Sequence, residues 1–133
     1  TTGIILLTNN GDIANKLSHP KFKVEKKYYV ESDKSLTKEI LYKINKGIRI
    51  KKDRFKPKVN FEKKTKDNTF IWNVVLKEGK NREIRKIFEF YELKILRLHR
   101  YEYAGINIAN IKSGAYRKIN KNEKKLLEVA ISN

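Results

Sequence analysis

Residues 70–103 read FIWNVVLKEGKNREIRKIFEFYELKILRLHRYEY, and this stretch decides the fold. Its first part alternates, with Phe70, Trp72, Val74 and Leu76 sharing one parity, which is the pattern of a half-buried strand. A helical stripe of Ile84, Ile87, Phe88 and Tyr91 follows, with Arg82 and Arg85 together on another face and Asn81 placed to cap the start. Strand character resumes over residues 94–104. The stretch therefore predicts a strand, a helix and a second strand.

The flanking sequence extends this pattern on both sides. Upstream it predicts a buried strand over residues 4–7, a short helix ended by His19 and Pro20, a strand over 23–31, and a helix over 37–46 closed by Gly47. Short exposed strands are expected over 48–51 and 58–64, around a charged loop containing Pro57, and Asn122 is expected to cap a last helix. We therefore predict an α+β fold in which a mixed, largely antiparallel sheet is flanked by helices, forming one domain over residues 1–133.

The charge indicates the kind of partner. Thirty-two Lys and Arg against fifteen Asp and Glu give a formal net charge of +17, which favours a polyanion, and nucleic acid first. No run approaches the roughly 18 apolar residues of a spanning helix, so a membrane is not expected as the partner. The chain has no Cys and only His19 and His99, so neither a zinc site nor a disulfide framework is expected.

Two short segments could bind RNA, and each has a simpler interpretation. Residues 26–29, KKYY, combine cations that can hold phosphates with rings on which a base can stack, or they are a half-buried strand with solvated lysines. Residues 80–86, KNREIRK, place Arg side chains at a helix start, which is a natural anion site, or they form a surface helix balanced by Glu83 and Glu89. His99 is expected to be structural or exposed and not catalytic. Composition and spacing alone indicate a basic domain that binds RNA.

Five blocks of sequence, in order, resemble one family. The chain is similar to the RsuA-type pseudouridine synthases, which modify ribosomal RNA. The blocks that carry the resemblance are residues 1–20 (TTGIILLTNNGD, ending in SHP), 26–30 (KKYYV), 78–85 (EGKNREIR), 96–100 (LRLHR) and 111–114 (IKSG).

The resemblance implies an enzyme that isomerises a uridine in structured, ribosomal RNA without metal or organic cofactor. It places the nucleophilic Asp three positions before Thr1, outside these 133 residues, so that this piece alone is expected to be inactive. Arg85 matches the Arg that pairs with that Asp, Tyr28 the Tyr that stacks on the target base, and Leu98 the residue that closes the pocket floor. The candidate contacts to RNA phosphates are Lys26, Lys80, Arg82 and Arg100.

The chain departs from the family pattern at two positions, since Glu83 stands where the family usually has Gln and Asn10 where it has Asp. The principal alternative function is a non-catalytic RNA-binding or ribosome-associated module, which accounts equally well for the charge and for the absence of the Asp. The expected protein is a monomer that does not bind membranes. Its compartment, cytoplasm or organelle interior, stays open.

Overall fold

A computed structural model of the chain describes residues 1–78, 82–109 and 111–132. Its strands are β1 (Thr2–Gly3), β2 (Lys26–Ser32), β3 (Ile48–Ile50), β4 (Asp53–Phe55), β5 (Lys58–Lys64), β6 (Phe70–Leu76), β7 (Ile95–Tyr103) and β8 (Ile106–Asn107). Its helices are α1 (Gly11–Ser18), α2 (Lys38–Lys46), α3 (Glu83–Phe90) and α4 (Lys121–Ala130), with a short 3₁₀ turn over Pro20–Phe22.

The main sheet has the strand order β1-β7-β2-β6-β5, and β8 also pairs with β7. The central strand β2 is antiparallel to both β6 and β7, while β1 is parallel to β7. The strands β3 and β4 form a separate two-stranded hairpin. The predicted α+β fold with a largely antiparallel sheet is therefore confirmed.

One face of the main sheet forms the larger hydrophobic core. The alternation predicted for β6 is observed, because Trp72 and Val74 are each 1% exposed and face the same way. The helices α2 and α3 cover this face with buried apolar side chains, namely Ile44 from α2 and Ile84, Ile87 and Phe88 from α3. Burying such side chains contributes about 1.5–3 kcal/mol each. This packing fixes α3, and with it Arg85, against the sheet.

A smaller core lies near the two ends of the chain. Leu17 of α1, Val24 and Ala104 are buried together, and Leu127 and Ala130 of α4 pack against them. The chain ends are therefore held by a cluster separate from the one beneath α3.

The asparagine Asn45 joins α2 to β5. Its side-chain amide donates to the backbone oxygen of Val59 at 2.9 Å, and its carbonyl oxygen accepts from the Val59 N–H at 2.9 Å. An amide that meets both backbone groups of one residue fixes the edge strand relative to the helix. The β3–β4 hairpin lies in the chain between these two anchored elements.

The short helix before His19 and the elements predicted over residues 23–31, 37–46, 48–51, 58–64, 70–76 and 94–104 are found, with most ends shifted by a few residues. The strand predicted over residues 4–7 is wrong. The strand β1 lies at Thr2–Gly3, and Ile5 and Leu7 are 69% and 84% exposed. Gly3 approaches the Arg100 backbone so closely that any Cβ there would collide with it, and its φ is 125°. Only glycine permits that approach, and the pairing with β7 falls at Thr2 and Gly3, before most of the apolar run.

Three further details differ from the sequence-based prediction. The charged loop around Pro57 contains an additional strand, β4. The last helix is capped by Asn120 and not by Asn122, because Asn120 and Glu123 form a reciprocal capping box. The predicted cap Asn81 lies outside the described residues, and the N-cap position of α3 is Arg82.

Candidate active site

Arg85 and Thr1 meet although 84 positions separate them in the chain. The Arg85 Nη2 donates to the Thr1 Oγ1 at 3.3 Å. Both residues line a pocket of about 290 Å³, whose other walls come from Thr2 and from residues 95–98 of β7. The beginning of the chain and the first turn of α3 are thus brought together at one opening.

Leu98 lines the same pocket, while Tyr28 lies beside it. Leu98 pairs with Val30 across the sheet, and Tyr28 pairs with Arg100 two positions further along. Both Tyr28 and Leu98 are 9% exposed and belong to the core that contains Ile84. The structure therefore brings Arg85 and Leu98 into one pocket and places Tyr28 on the neighbouring strand, on the same face of the sheet.

Lys26 and Arg100 share the ring of Tyr103. The Lys26 Nζ lies 5.5 Å and the Arg100 guanidinium carbon 4.9 Å from the centre of that ring. Burial lowers the pKa of Lys26, with the neighbouring Arg100 charge lowering it further and Glu83 opposing both. Burial also raises the pKa of Tyr103, with the Arg100 charge opposing and Tyr28 adding to the rise. Lys26, Tyr28, Glu83, Arg100 and Tyr103 therefore form one electrostatic cluster.

The guanidinium of Arg100 also holds the incoming chain. Its Nε and Nη2 donate to the backbone oxygen of Ile4 at 2.9 and 2.7 Å, and the Ile4 N–H donates to the Arg100 backbone oxygen at 2.9 Å. In the structure, Arg100 therefore fixes the segment that follows Thr1. A contact between Arg100 and an RNA phosphate stays a prediction.

Two further charged residues, one exposed and one buried, lie at the start of α3. Arg82 is exposed and occupies the N-cap position in the left-handed region, with φ 51°. Glu83, one of the two residues that depart from the family pattern, is only 3% exposed. The predicted phosphate ligand Lys80 lies outside the described residues, so only Lys26, Arg82 and Arg100 can be placed.

The opposite face of the sheet carries a larger groove. This groove, of about 600 Å³, is lined by Tyr29, Arg97 and His99 among others, and the ring of Tyr29 stacks on Tyr101 with centroids 4.4 Å apart. The Nδ1 of His99 shares a hydrogen bond of 2.7 Å with the Thr2 hydroxyl, which agrees with the structural role expected for this residue. None of the predicted catalytic residues lines this groove.

Sequence reasoning missed the roles of Thr1 and Tyr103. The register between β2 and β7 shifts at Lys27/Tyr28, and this irregularity places Lys26 opposite Tyr103. The contact between Thr1 and Arg85 also depends on the complete fold, since it joins the chain start to α3.

Two negative findings concern the part of the chain that the structure describes. None of its helices is both long and apolar enough to cross a membrane. No group of three or more His, Cys, Asp or Glu side chains there could hold a metal ion.

The architecture and the site define a class of protein. A crystal structure described as that of a pseudouridylate synthase superimposes with a TM-score of 0.82 and 25% sequence identity, over 96% of this chain and 55% of the other. The RNA pseudouridylate synthase family matches residues 1–90. The chain belongs to this family.

Curated relatives support the same family. The ribosomal large subunit pseudouridine synthase B of Bacillus subtilis (strain 168) is 35% identical over 131 residues, which are 96% of this chain and 53% of that protein. An uncharacterized RNA pseudouridine synthase of Rickettsia felis is 40% identical over 129 residues, covering 95% of this chain and 53% of the relative. The chain spans about half the length of the curated relatives it matches.

Proposed function

We propose that this protein isomerises a specific uridine to pseudouridine in structured RNA, and in ribosomal RNA in particular, acting as a monomer. The observation that carries the proposal is the contact between Arg85 and Thr1 at a pocket that Leu98 also lines, in a chain that belongs to the pseudouridylate synthase family. The name of the Bacillus subtilis relative supports the ribosomal substrate.

In this mechanism Arg85 pairs with the carboxylate of the Asp expected three positions before Thr1. An extended chain advances at most about 3.3–3.6 Å per residue, so an Asp three positions before Thr1 lies within about 11 Å of it. The Arg85 guanidinium, already 3.3 Å from the Thr1 hydroxyl, can meet such a carboxylate with both arms of its fork. The pairing keeps the carboxylate ionised and oriented toward the ribose.

Tyr28 and Leu98 act on the uracil. A uridine inside an RNA helix is inaccessible, so it must leave the stack, at a cost of a few kcal/mol that protein contacts offset. The Tyr28 ring provides the stacking surface, and Leu98 closes the pocket on the other side. The bond between uracil N1 and the ribose C1′ breaks, the base turns, and C5 bonds to C1′. The C5 proton leaves and N1 gains a proton, so that the atoms balance.

The phosphate contacts come from the basic residues around this site. Lys26 and Arg82 lie on the same side of the sheet as the pocket, at the start of β2 and of α3, and Lys80 and Arg100 complete the proposed set. These contacts hold the RNA while the binding energy of remote nucleotides offsets the cost of extruding the base.

The test is an isomerisation assay with the full-length protein and an unmodified transcript of large-subunit ribosomal RNA. Carbodiimide modification followed by primer extension maps pseudouridine, and conversion of one uridine is expected. A small-subunit transcript serves as the control and should stay unmodified. Tight binding of the transcript without conversion would favour a non-catalytic RNA-binding module instead.

A further inference from the structure

The hairpin β3–β4 lies outside the candidate active site and carries an unusual arrangement of charge. Its two strands are joined by the two-residue turn of Lys51 and Lys52. Lys51 adopts φ 55°, in the left-handed region where such turns ordinarily place Gly, Asn or Asp. A lysine in that conformation costs stability that a glycine would not.

The two faces of the hairpin differ completely. Ile48 pairs with Phe55 on the inner face, where Phe55 is fully buried. Arg49 pairs with Arg54 on the outer face, and both arginines are exposed. Directly opposed side chains in an antiparallel pair have Cβ atoms about 4.5–5.5 Å apart, and like charges in that position destabilise the pair.

The surroundings of this arginine pair are also basic. Residues 46–58 contain seven Lys and Arg and a single acidic residue, Asp53. Asp53 pairs with Ile50, on the face opposite to that of the two arginines. Guanidinium is the cation whose fork matches phosphate, so two neighbouring exposed arginines among further lysines suit a phosphodiester backbone.

The hairpin is held rigidly on the same side of the sheet as the candidate active site. Ile48 and Ile50 pack against the core that includes Ile84 and Ile87 of α3, and β3 contacts α3 directly. The hairpin therefore adjoins the helix α3, which carries Arg85, so a single RNA molecule can extend from the pocket to the hairpin.

We propose that the outer face of the β3–β4 hairpin, centred on Arg49 and Arg54, is a second RNA-binding surface that grips the phosphodiester backbone away from the target uridine. This inference rests on the proposed function, because it assigns to the same RNA substrate a contact outside the pocket. The surface recognises phosphate and not base identity, so its contribution is electrostatic and depends on salt.

The experiment compares two double variants of the full-length protein that each remove two positive charges. One is Arg49→Gln with Arg54→Gln, and the matched control is Lys124→Gln with Lys125→Gln on the exposed side of α4. Binding to a structured ribosomal RNA fragment is measured over a range of salt concentrations, from about 50 to about 300 mM. The hairpin variant should lose severalfold in affinity, with a log–log salt slope smaller by about two, since each phosphate contact contributes about one. The α4 control should keep the slope of the unmodified protein.

A second variant separates binding from folding. Arg49→Glu places an opposite charge across the strand from Arg54, so the melting temperature should not fall, while RNA affinity should fall about as far as in the hairpin double variant because both remove two units of positive charge. A fall in both quantities would mean that the substitution damages the hairpin, and it would overturn the proposal. Equal slopes for the hairpin and α4 double variants would overturn it too. Normal pseudouridine formation accompanied by equal slopes would leave the proposed function standing and remove only the hairpin surface.

Discussion

At the scale of single residues, the core depends on one buried polar contact. The Trp72 Nε1 donates to the Ser32 Oγ at 2.8 Å, and the Ser32 hydroxyl donates to the backbone oxygen of Lys34 at 2.8 Å. Trp72 is 1% and Ser32 0% exposed, so water cannot replace either partner. The indole is thus satisfied at the centre of the sheet, and the start of the segment that leads to α2 is fixed at the same time.

Ser32→Ala should lower the free energy of unfolding by about 1–3 kcal/mol, because it leaves the indole N–H buried without an acceptor. Urea unfolding followed by tryptophan fluorescence measures this change. Ser35→Ala is the control: Ser35 is exposed, and its loss should cost less than about 0.5 kcal/mol. Equal small losses at the two positions would show that the buried hydrogen bond contributes little.

At the scale of elements, α4 depends on its first turn. Asn120 Oδ1 accepts from the Glu123 N–H at 2.8 Å, and Glu123 Oε1 accepts from the Asn120 N–H at 3.0 Å. Arg117 meets the same carboxylate with two nitrogens, at 2.6 and 2.8 Å. The Arg117 hydrogen bonds first, and the Asn120 backbone second, lower the pKa of Glu123 to about 2. One carboxylate therefore joins the start of the helix to the segment before it.

The stabilisation from Glu123 should depend on pH. Its folded pKa is depressed, so the contribution is fully present above the unfolded value of about 4.3 and is lost as the pH falls toward the folded value of about 2. Glu123→Gln should therefore destabilise the protein near neutral pH by up to about 1 kcal/mol, because it removes the charged pairing with Arg117 while a Gln can still accept from the Asn120 N–H. The difference should disappear as the pH approaches the folded pKa.

Urea unfolding of the two proteins from neutral pH down to about 2 measures this difference. Glu128→Gln, at an exposed position of the same helix, should change neither the stability nor its pH dependence. A gap between the Glu123→Gln variant and the unmodified protein that is constant with pH would exclude the charged capping box as its cause.

The elements that the sequence predicts best are those with long periodic patterns. The seven residues of β6 alternate clearly, and α2 has both a capping Thr37 and a closing Gly47. The strand β4 escapes prediction because three residues, two of them charged, give too little alternation to recognise. The cap of α4 does have a local signal, because Asn120 and Glu123 have the spacing of a capping box. The prediction of Asn122 as the cap overlooked this signal.

At the scale of the whole molecule, the candidate site depends on contacts that no local pattern contains. The resemblance to a family predicts from sequence that Tyr28, Arg85 and Leu98 belong to one site, and the geometry adds what periodicity cannot provide. Thr1 reaches Arg85 because Gly3 lies against the Arg100 backbone and the Arg100 side chain holds Ile4. The start of the chain is therefore directed to the first turn of α3.

The proposed function gives Arg85 and Arg82 different roles, although both arginines lie at the start of α3. Arg85 lines the pocket beside Thr1, while Arg82 is exposed at the N-cap. A lysine at either position keeps the charge but loses the fork. The rate of reaction should therefore change only at Arg85, where two guanidinium nitrogens must orient a carboxylate.

The most direct test is the single-turnover rate of pseudouridine formation, with the dissociation constant for RNA, in the full-length protein carrying Arg85→Lys or Arg82→Lys. We expect Arg85→Lys to slow the reaction by about 100-fold or more, as small misplacements at a reacting centre do, with RNA affinity almost unchanged. Arg82→Lys should weaken binding modestly and change the rate little. Small and equal effects at both positions would contradict the placement of Arg85 in the active site.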